Sequence, residues 1–529
     1  VIEAHQSASP PLSLVFAIPD HPWVDSTDGA AVRIAMTAAQ AGQHEGHLIQ
    51  VTDEGDSDNG EVAIKAVSRI GNIHPDLKVG ANLTITRKLK ANERLSSMGM
   101  MRAGNGFVIT ETQTATLGLG TTPGLEKHLR QFRNGRDLTD RPRGHWLIDL
   151  YGLTSEQVMQ KFPAVYQHVL ETVKPERDLN RRQRLKLQWW IFGEPRQGLR
   201  CALVGLTRYI ATVETAKHRI FQFLDASILP DHKLVAICVE DGLFLGVLSS
   251  QIHAYWALAA GGRLGVGNDP VYSKSRCLDP FPFPSGDTGL TPELTDRIRA
   301  LAEQIDAHRK RQQAAHPELT LTGLYNVLEK LRGGLALSAK DKTIHEQGLV
   351  SVLRTLHDEL DTAVQQAYGW SDLGPVPWAD EVACAAWTDT LLQRLVNLNT
   401  RRFEEEASGT IRWLRPEFQN SATTTQPDAE QTAMDLEPDE APDSTSPVAA
   451  TATPKPLEQK PWPATLPEQI KAVADILSTT PTPLGMEAIA AHFKARGRWR
   501  DRLPTILDTL VAIGRAQARG DGRWIHSAY

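Results

Sequence analysis

The stretch from Gly265 to Pro284, GVGNDPVYSKSRCLDPFPFP, holds side chains whose types could do chemistry on a nucleic-acid base. An enzyme that methylates an exocyclic amine uses an Asn, Asp or Ser side chain and the carbonyl of the next proline as acceptors for the target NH2. An aromatic ring then stacks on the extruded base. A second proline fixes that carbonyl in place. Asp269-Pro270-Val271-Tyr272 lacks the second proline, and Asp279-Pro280-Phe281-Pro282 has the same defect. The preceding AAGGRLGVGN is a glycine-rich loop after a helix, not the apolar end of a strand. A motif needs its structural context. Both stretches therefore read as a proline-stiffened strand leaving a domain, and no catalytic residue is assigned.

Other chemistry is equally incomplete. The glycine clusters GLGLGTTPG, with its core at Gly118 to Gly124, and GGRLGVGN neither follow a clear strand nor open a clear helix, so they read as loop turns. His218 and His253 have no partner at metal-ligand spacing, and Cys201, Cys238, Cys277 and Cys384 lie too far apart for a zinc pair. No metal is expected. The cysteine pattern suits reduced thiols and a cytoplasmic location. No G-x-S-x-G, P-loop or H-E-x-x-H motif occurs.

Basic clusters carry more information. Arg133, Asn134 and Arg136 surround an Asn-Gly pair; Arg177, Asn180, Arg181 and Arg182 crowd one segment; Lys217 with Arg219, Lys274 with Arg276, and Arg500 follow. Guanidinium groups suit phosphates and guanine edges, and Asn suits adenine edges. Trp189, Trp190, Phe192 and Tyr209 are interleaved. A charge run is usually a solvated face, here neutralised by Glu176, Asp178 and Glu214. Concentration of these residues in one region, within a chain of formal net charge -6, favours double-stranded DNA as the partner.

The elements that must hold these residues indicate an α/β and α+β multidomain chain. Its 529 residues and 41% hydrophobic content allow several cores. Residues 1–60 read as an α/β fragment, with strands at LSLVFAI and AAVRIAMTAAQ. Residues 61–286 are mixed, with strands expected at RLKLQWWIFG, RYIATVET, KLVAICVED and LFLGVLSS and a helix at QIHAYWALAAGG. Residues 287–416 read as helical, opened by Thr291 as N-cap, Pro292 at the first position and Glu293 in the first turn. Residues 417–462, rich in Ser, Thr, Pro and acids, read as a disordered linker. Residues 463–529 give three short helices and a hairpin turning at Gly520-Asp521-Gly522, a winged-helix-like order that serves DNA or a docking partner. No apolar run suggests membrane insertion. The chain opens at Val1 and reads there like mid-protein sequence, so a further half upstream is expected.

The segments LKANERLSSMGMM, FRNGRDLTDRPRGHWLIDLYGL, FPAVYQHVLETVKPERDLNRR, WWIFGEPR, RYIATVETAKHRIFQFLD, LGVLSSQIHAYWALAAGGRLGVGNDPVYSKSRCLDPFPFP and LTLTGLYNVLEKLR follow one another along the chain. Together they resemble the C-terminal half of MmeI-like, class I S-adenosylmethionine-dependent DNA methyltransferases. That group includes large type II restriction-modification enzymes and methyltransferases of phage-defence islands such as DISARM. The resemblance spans roughly residues 10–416. It implies that residues 1–60 end a Rossmann-like methyltransferase sheet, with Trp23 as the base-pocket candidate. It implies that 61–286 form the target recognition domain. The family's glycine-rich cofactor motif and Asn-Pro-Pro-Tyr/Phe tetrad would lie upstream of Val1, in a companion half that holds S-adenosylmethionine. The expected function is recognition for a site-specific adenine-N6 DNA methyltransferase. A free-standing specificity subunit or a non-catalytic DNA-binding remnant is the alternative.

Overall fold

A computed structural model describes residues 2–6, 8–23, 32–56, 62–264, 269–420, 460–461, 466–479, 484–494, 503–512, 516–519 and 523–526. The chain divides into two compact units, Val1–Thr424 and Thr425–Tyr529. At the start of the first unit, Leu12–Trp23 (β1), Val32–Ala41 (β2), Gly46–Asp56 (β3) and Val62–Gly71 (β4) form one sheet in the order β2-β1-β3-β4. β3 and β4 pair antiparallel from Gly46↔Gly71 to Asp56↔Val62. A domain boundary at residue 60 would cut this hairpin, so the sheet extends the first segment to Gly71. Leu14, Ala17, Leu48 and Ile73 are its buried apolar residues.

The next strands are Ser96–Met98 (β5), Val108–Ile109 (β6), Leu129–Arg133 (β7) and Trp146–Ile148 (β8). Arg208–Val213 (β9), Gln222–Asp225 (β10), Leu229–Pro230 (β11) and Leu234–Ile237 (β12) follow. They build two four-stranded sheets, β10-β9-β12-β5 and β11-β7-β8-β6. Side chains alternate faces along a strand. In β9 and β12 that alternation separates two cores: Ile210, Val235 and Ile237 enter one, and Tyr209, Ala211, Leu234 and Ala236 enter the other. A sheet buried on both faces needs near-continuous apolar runs, which is why RYIATV and LVAI read that way.

The first of these cores runs without a break into the helices. Phe221 and Val235 share it with Ile298, Leu324, Leu360 and Leu391. Helices Pro292–Ala315, Leu321–Arg332, Val350–Ala367 and Glu381–Ala407 therefore complete the core of the strands before them. The buried core thus continues past residue 286 into these helices. Thr291 caps the first of these helices, accepting from the Leu294 amide at 3.2 Å, with Pro292 at its start.

Three other expectations change. LFLGVLSS is not a strand but the helix Gly242–Ser249, capped by Asp241, which accepts from the Leu243 amide at 2.9 Å. A short apolar run cannot separate a buried helix from a strand by period alone. The helix packs so closely that a Cβ on Gly246 would stand 2.5 Å from the Ile298 side chain. RLKLQWWIFG is not a strand either. Gln183–Leu187 is helical, and Leu185, Trp189 and Phe192, spaced four and three apart, all face inward. Finally, the linker does not begin at 417. Pro416–Gln419 is a helical turn, with Arg94 and Arg415 over the Phe418 ring at 4.8 and 4.9 Å. Trp413, Leu414 and Phe418 explain this, as apolar anchors ahead of the acidic stretch. Residues 421–459 lie outside the described residues.

The second unit has helices Leu466–Thr479, Met486–Ala491 and Leu503–Ala512, then the antiparallel pair Ala516–Arg519 and Arg523–His526. Leu484–Gly485 pairs with the last strand. Val473, Leu477, Ile489, Phe493, Ile506 and Leu510 form its own core. Among the described residues, no single helix is long and apolar enough to cross a membrane.

One buried side chain ties the ends of the first unit's core together. Asn399, with no exposed surface, accepts from the Arg87 amide at 2.9 Å and donates to the carbonyls of Arg87 and Pro280 at 2.8 and 2.6 Å. Asn399→Ala strands one buried amide and two carbonyls, each costing about 1–3 kcal/mol. We expect the first unit to lose about 2–5 kcal/mol, read as a fall in its urea midpoint at unchanged slope.

Candidate nucleic-acid interface

The loop after β7 shows how the sequence builds a presented basic site. Asn134 is not in an Asn-Gly turn; it caps the helix Gly135–Thr139. Its Oδ1 accepts from the amides of Arg136 and Asp137 at 3.0 and 3.3 Å, and the Asp137 carboxylate accepts from the Asn134 amide at 2.9 Å. This is a reciprocal capping box. Asp137 also accepts from the Arg143 Nε at 2.9 Å and the Arg143 amide at 3.1 Å. Burial pushes the Asp137 carboxyl up, but Arg143 and the two amides outweigh it and hold it below its ordinary value. Arg136 is left exposed on this small helix, with no side-chain partner among the described residues. Arg133 is half-buried; burial lowers its pKa, and it donates to the Phe132 carbonyl at 3.0 Å.

Backbone pairing then joins this loop to the second basic cluster. The Asp231 amide donates to the Arg133 carbonyl at 2.8 Å. The Met100 amide donates to Pro230 O at 2.8 Å, and the His232 amide to Met100 O at 3.1 Å. Gly99 permits this crossing: a Cβ there would lie 2.3 Å from the carbonyls of Pro230 and Asp231. Met101 and Glu194 exchange amide bonds at 3.2 and 2.9 Å, and the Gly193 amide donates to Arg102 O at 3.2 Å. The Gly193 carbonyl in turn accepts from Arg184. Arg102 stands 3.6 Å from Asp231 and over the Phe132 ring at 5.0 Å. Arg196, in the left-handed region at φ 54, donates to the Gly99 carbonyl at 3.3 Å and pairs with Glu194.

These pairings bring together Arg133, Arg136, Arg102, Arg184 and Arg196, with His232 and Lys233 alongside, the first 3.1 Å from Asp231 and the second held by Glu214 at 2.8 Å. Asn180 accepts from the Arg182 amide at 2.9 Å, which orders the turn that exposes Arg181 and Arg182. Arg102, Arg196, His232 and Lys233 were not among the sequence candidates. They come from three separate segments, and only the pairings at Met100, Met101 and Asp231 bring them together.

Other candidates are placed elsewhere. Arg177 is fully buried, over the Phe107 ring at 5.7 Å, and donates through one nitrogen to the carbonyls of Arg102 and Ile191 at 2.8 and 2.9 Å. Burial pulls its pKa down to about 10. It cannot reach a phosphate and instead clamps the two strands of the patch. Arg219 donates to the Thr212 hydroxyl at 3.3 Å, the Val213 carbonyl and the Pro270 carbonyl at 3.2 Å, so it too is structural. Lys217 is held by Asn326 and Glu329 at 2.9 and 2.8 Å. Lys274 lies 3.4 Å from Asp279, while Arg276 is exposed without a side-chain partner among the described residues. Trp23 ends β1 opposite Val32, with its side chain outside the described residues, as is all of Arg500.

The opening motif also finds its place. Asp269–Val271 (β14) pairs antiparallel with Gly262–Leu264 (β13). Tyr272 is 1% exposed, and its hydroxyl and His253 Nε2 are 2.9 Å apart. A ring so enclosed cannot stack on a base. Gly118, Gly120 and Gly124, at φ 98, 83 and 86, form turns between the helix Glu111–Thr116 and a 3-10 turn, and no strand leads into them. They do not fit a nucleotide-cofactor cradle. Among the described residues, no His, Cys, Asp and Glu group could hold a metal ion.

The family model described as the MmeI target recognition domain matches residues 80–285. The solved structure of the type IIL restriction-modification enzyme MmeI in complex with DNA is similar over 74% of this chain, with a TM-score of 0.51 and 20% identity. The chain spans 46% of that protein's length. The type IIG restriction endonuclease BpuSI gives a TM-score of 0.24 at 10% identity, over 68% of this chain and 44% of its own. No curated protein matches the chain. At that identity the likeness to MmeI is one of fold: a mixed α/β multidomain arrangement of sheets and helices.

Two measurements test the local assignments. Asp137 has a depressed folded pKa, so its stabilisation is present above the unfolded value and lost as pH falls through the folded one. Asp137→Asn should cost about 1–3 kcal/mol at pH 7, and parent and variant should converge in urea midpoint as the pH is lowered toward 2. Arg177→Met should accelerate amide hydrogen exchange at Met101, Gly193 and Glu194. Unchanged protection at those amides would contradict the clamp.

Proposed function

We propose that this chain is the DNA-recognising part of a site-specific adenine-N6 DNA methyltransferase of the restriction-modification or phage-defence type, working in the cytoplasm. The observation that carries the reading is the patch at Arg102, Arg133, Arg136, Arg184 and Arg196, with Arg182 exposed on the turn before Arg184. Non-local pairing assembles it inside the region that matches a target recognition domain. Salt-dependent contacts from Arg and Lys would bind duplex phosphates, and a few side chains would read base edges. Arg136, exposed on the capped helix Gly135–Thr139, would be one of them.

Methyl transfer itself would belong to a companion half holding S-adenosylmethionine, which supplies the methyl group when bound. No residue of this chain is assigned to that step. Trp23, at the end of β1, is the residue proposed to border the base pocket, and the sheet β2-β1-β3-β4 would complete the catalytic domain. The second unit, with its helices and terminal hairpin, is proposed as a winged-helix-like module for DNA or a partner. A free-standing specificity subunit or a non-catalytic DNA-binding remnant is the second reading, and the companion half distinguishes them in the test below.

The test uses labelled S-adenosylmethionine and unmethylated duplex DNA. The chain alone should bind DNA and transfer nothing; adding the companion half should yield N6-methyladenine. Arg102→Ala/Arg136→Ala/Arg182→Ala should weaken binding at least tenfold at about 0.1 M salt. Methyl transfer by the chain alone would overturn the division of labour.

A further inference from the structure

A second basic segment, Thr86 to Leu95 (TRKLKANERL), shows an unusual division between backbone and side chains. Buried polar groups from distant elements grip its backbone. Asn399 holds both the amide and the carbonyl of Arg87. Glu406 accepts from the amides of Lys90 and Ala91 at 2.7 and 2.9 Å. Gln419 donates to the carbonyls of Ala91 and Glu93 at 2.9 and 2.8 Å. The Leu89 amide donates to Asp279 O at 2.9 Å. Asn92, itself buried, donates to the carbonyls of Leu278, Asp279 and Phe281 at 2.9, 3.0 and 2.8 Å.

The cationic side chains point the other way. Leu89, Ala91 and Asn92 are buried, while Arg87, Lys88 and Lys90 are exposed. Arg87 and Lys90 have no side-chain partner among the described residues. Lys88, 66% exposed, stands 3.9 Å from Asp279, and Lys274 shares the same carboxylate at 3.4 Å. Arg276, also exposed and unpartnered, lies on the same turn as Lys274. Asp279 thus stands near two of these cations, Lys88 and Lys274, and Glu93 is the exposed acid within the segment itself.

A solvated basic run does not need its main chain held by three buried side chains and anchored by a fourth, its own Asn92. Such fixing lowers the entropic cost of binding, because the cations are ordered before the ligand arrives. We infer that Arg87, Lys88 and Lys90, with Lys274 and Arg276 beside them, form a second contact strip for the phosphates of duplex DNA. It is a grip on the backbone and carries no sequence readout. The inference rests on the DNA-binding reading above and places a contact that this reading does not contain.

The experiment measures binding of a fluorescent duplex by the full chain across a salt series. The variant is Arg87→Ala/Lys88→Ala/Lys90→Ala, with the urea midpoint as a folding control. Each lost phosphate contact lowers the slope of log affinity against log salt by about 0.9. We expect a slope reduced by about 2–3, affinity roughly tenfold or more weaker at about 0.1 M salt for every sequence alike, and an unchanged midpoint. The charge-conserving Arg87→Lys/Lys88→Arg/Lys90→Arg should keep the parent slope. If the parent binds and the alanine variant keeps its affinity and slope, the strip is refuted and the DNA-binding reading stands. Loss of binding in the charge-conserving variant as well would equally refute a phosphate grip. A parent chain that binds no duplex at all removes both.

Discussion

Burial of both faces of the sheet β10-β9-β12-β5 is the constraint on which the first unit depends. A sheet enclosed on both sides has no solvated face on which to display polar residues. One face takes the long helices as its cover, and the other takes the second sheet and its short helices. Functional groups are then confined to strand ends and to the segments that cross them. That is where the exposed cations lie: at the end of β7, at the turn between β11 and β12, and on the segment leading into β5. The helices Pro292–Ala315 and Glu381–Ala407 are therefore no accessory domain, since removing them would expose Ile210, Val235 and Ile237 to water.

The same geometry explains which parts of the fold could be read from the chain. Thr291-Pro292-Glu293 carries a start signal within three residues, and the helix begins there. RYIATV and LVAI are strands because no helix signal competes with their apolar runs. LFLGVLSS has the same composition but follows Asp241, and the cap decides for helix. RLKLQWWIFG runs apolar at strand length, but the four-then-three spacing of Leu185, Trp189 and Phe192 is what places all three inward. The pairing across residue 60 is illegible for a different reason: composition shifts there, but β3 and β4 pair across it, while past residue 286 the composition turns helical and the buried core continues.

For the interface, residue type was legible and environment was not. Arg177 and Arg181 sit in one basic run, yet the first is fully buried and the second exposed. Arg219, half-buried on the Val213 and Pro270 carbonyls, and the exposed Arg276 differ in the same sense. Nothing local separates them, because burial of an arginine is decided by carbonyls far away in sequence, such as Arg102 and Ile191 for Arg177. Asn134 was singled out for base contact, and its oxygen is spent on a helix cap. The Asn-Gly dipeptide suggested a turn, while Asp137 three residues on was the capping signal.

The buried and exposed arginines are parts of one arrangement. A guanidinium carries five donors on a rigid plane and is hydrated more weakly than an ammonium, so it can span loop carbonyls inside a protein where lysine would not. Arg177, Arg219 and Arg415 do this; Arg415 reaches the carbonyls of Cys238 and Val204 at 3.4 and 2.9 Å. Each is costly to bury, since even Arg177 keeps two nitrogens without partners. That cost purchases fixed loops in a region with little regular secondary structure. Rigid loops matter most where positive charges must hold their spacing against mutual repulsion, as at Arg102, Arg133 and Arg196. Arg177 supplies this rigidity directly for the patch, by joining the Arg102 and Ile191 segments, so a run of basic residues in this chain is part anchor and part surface.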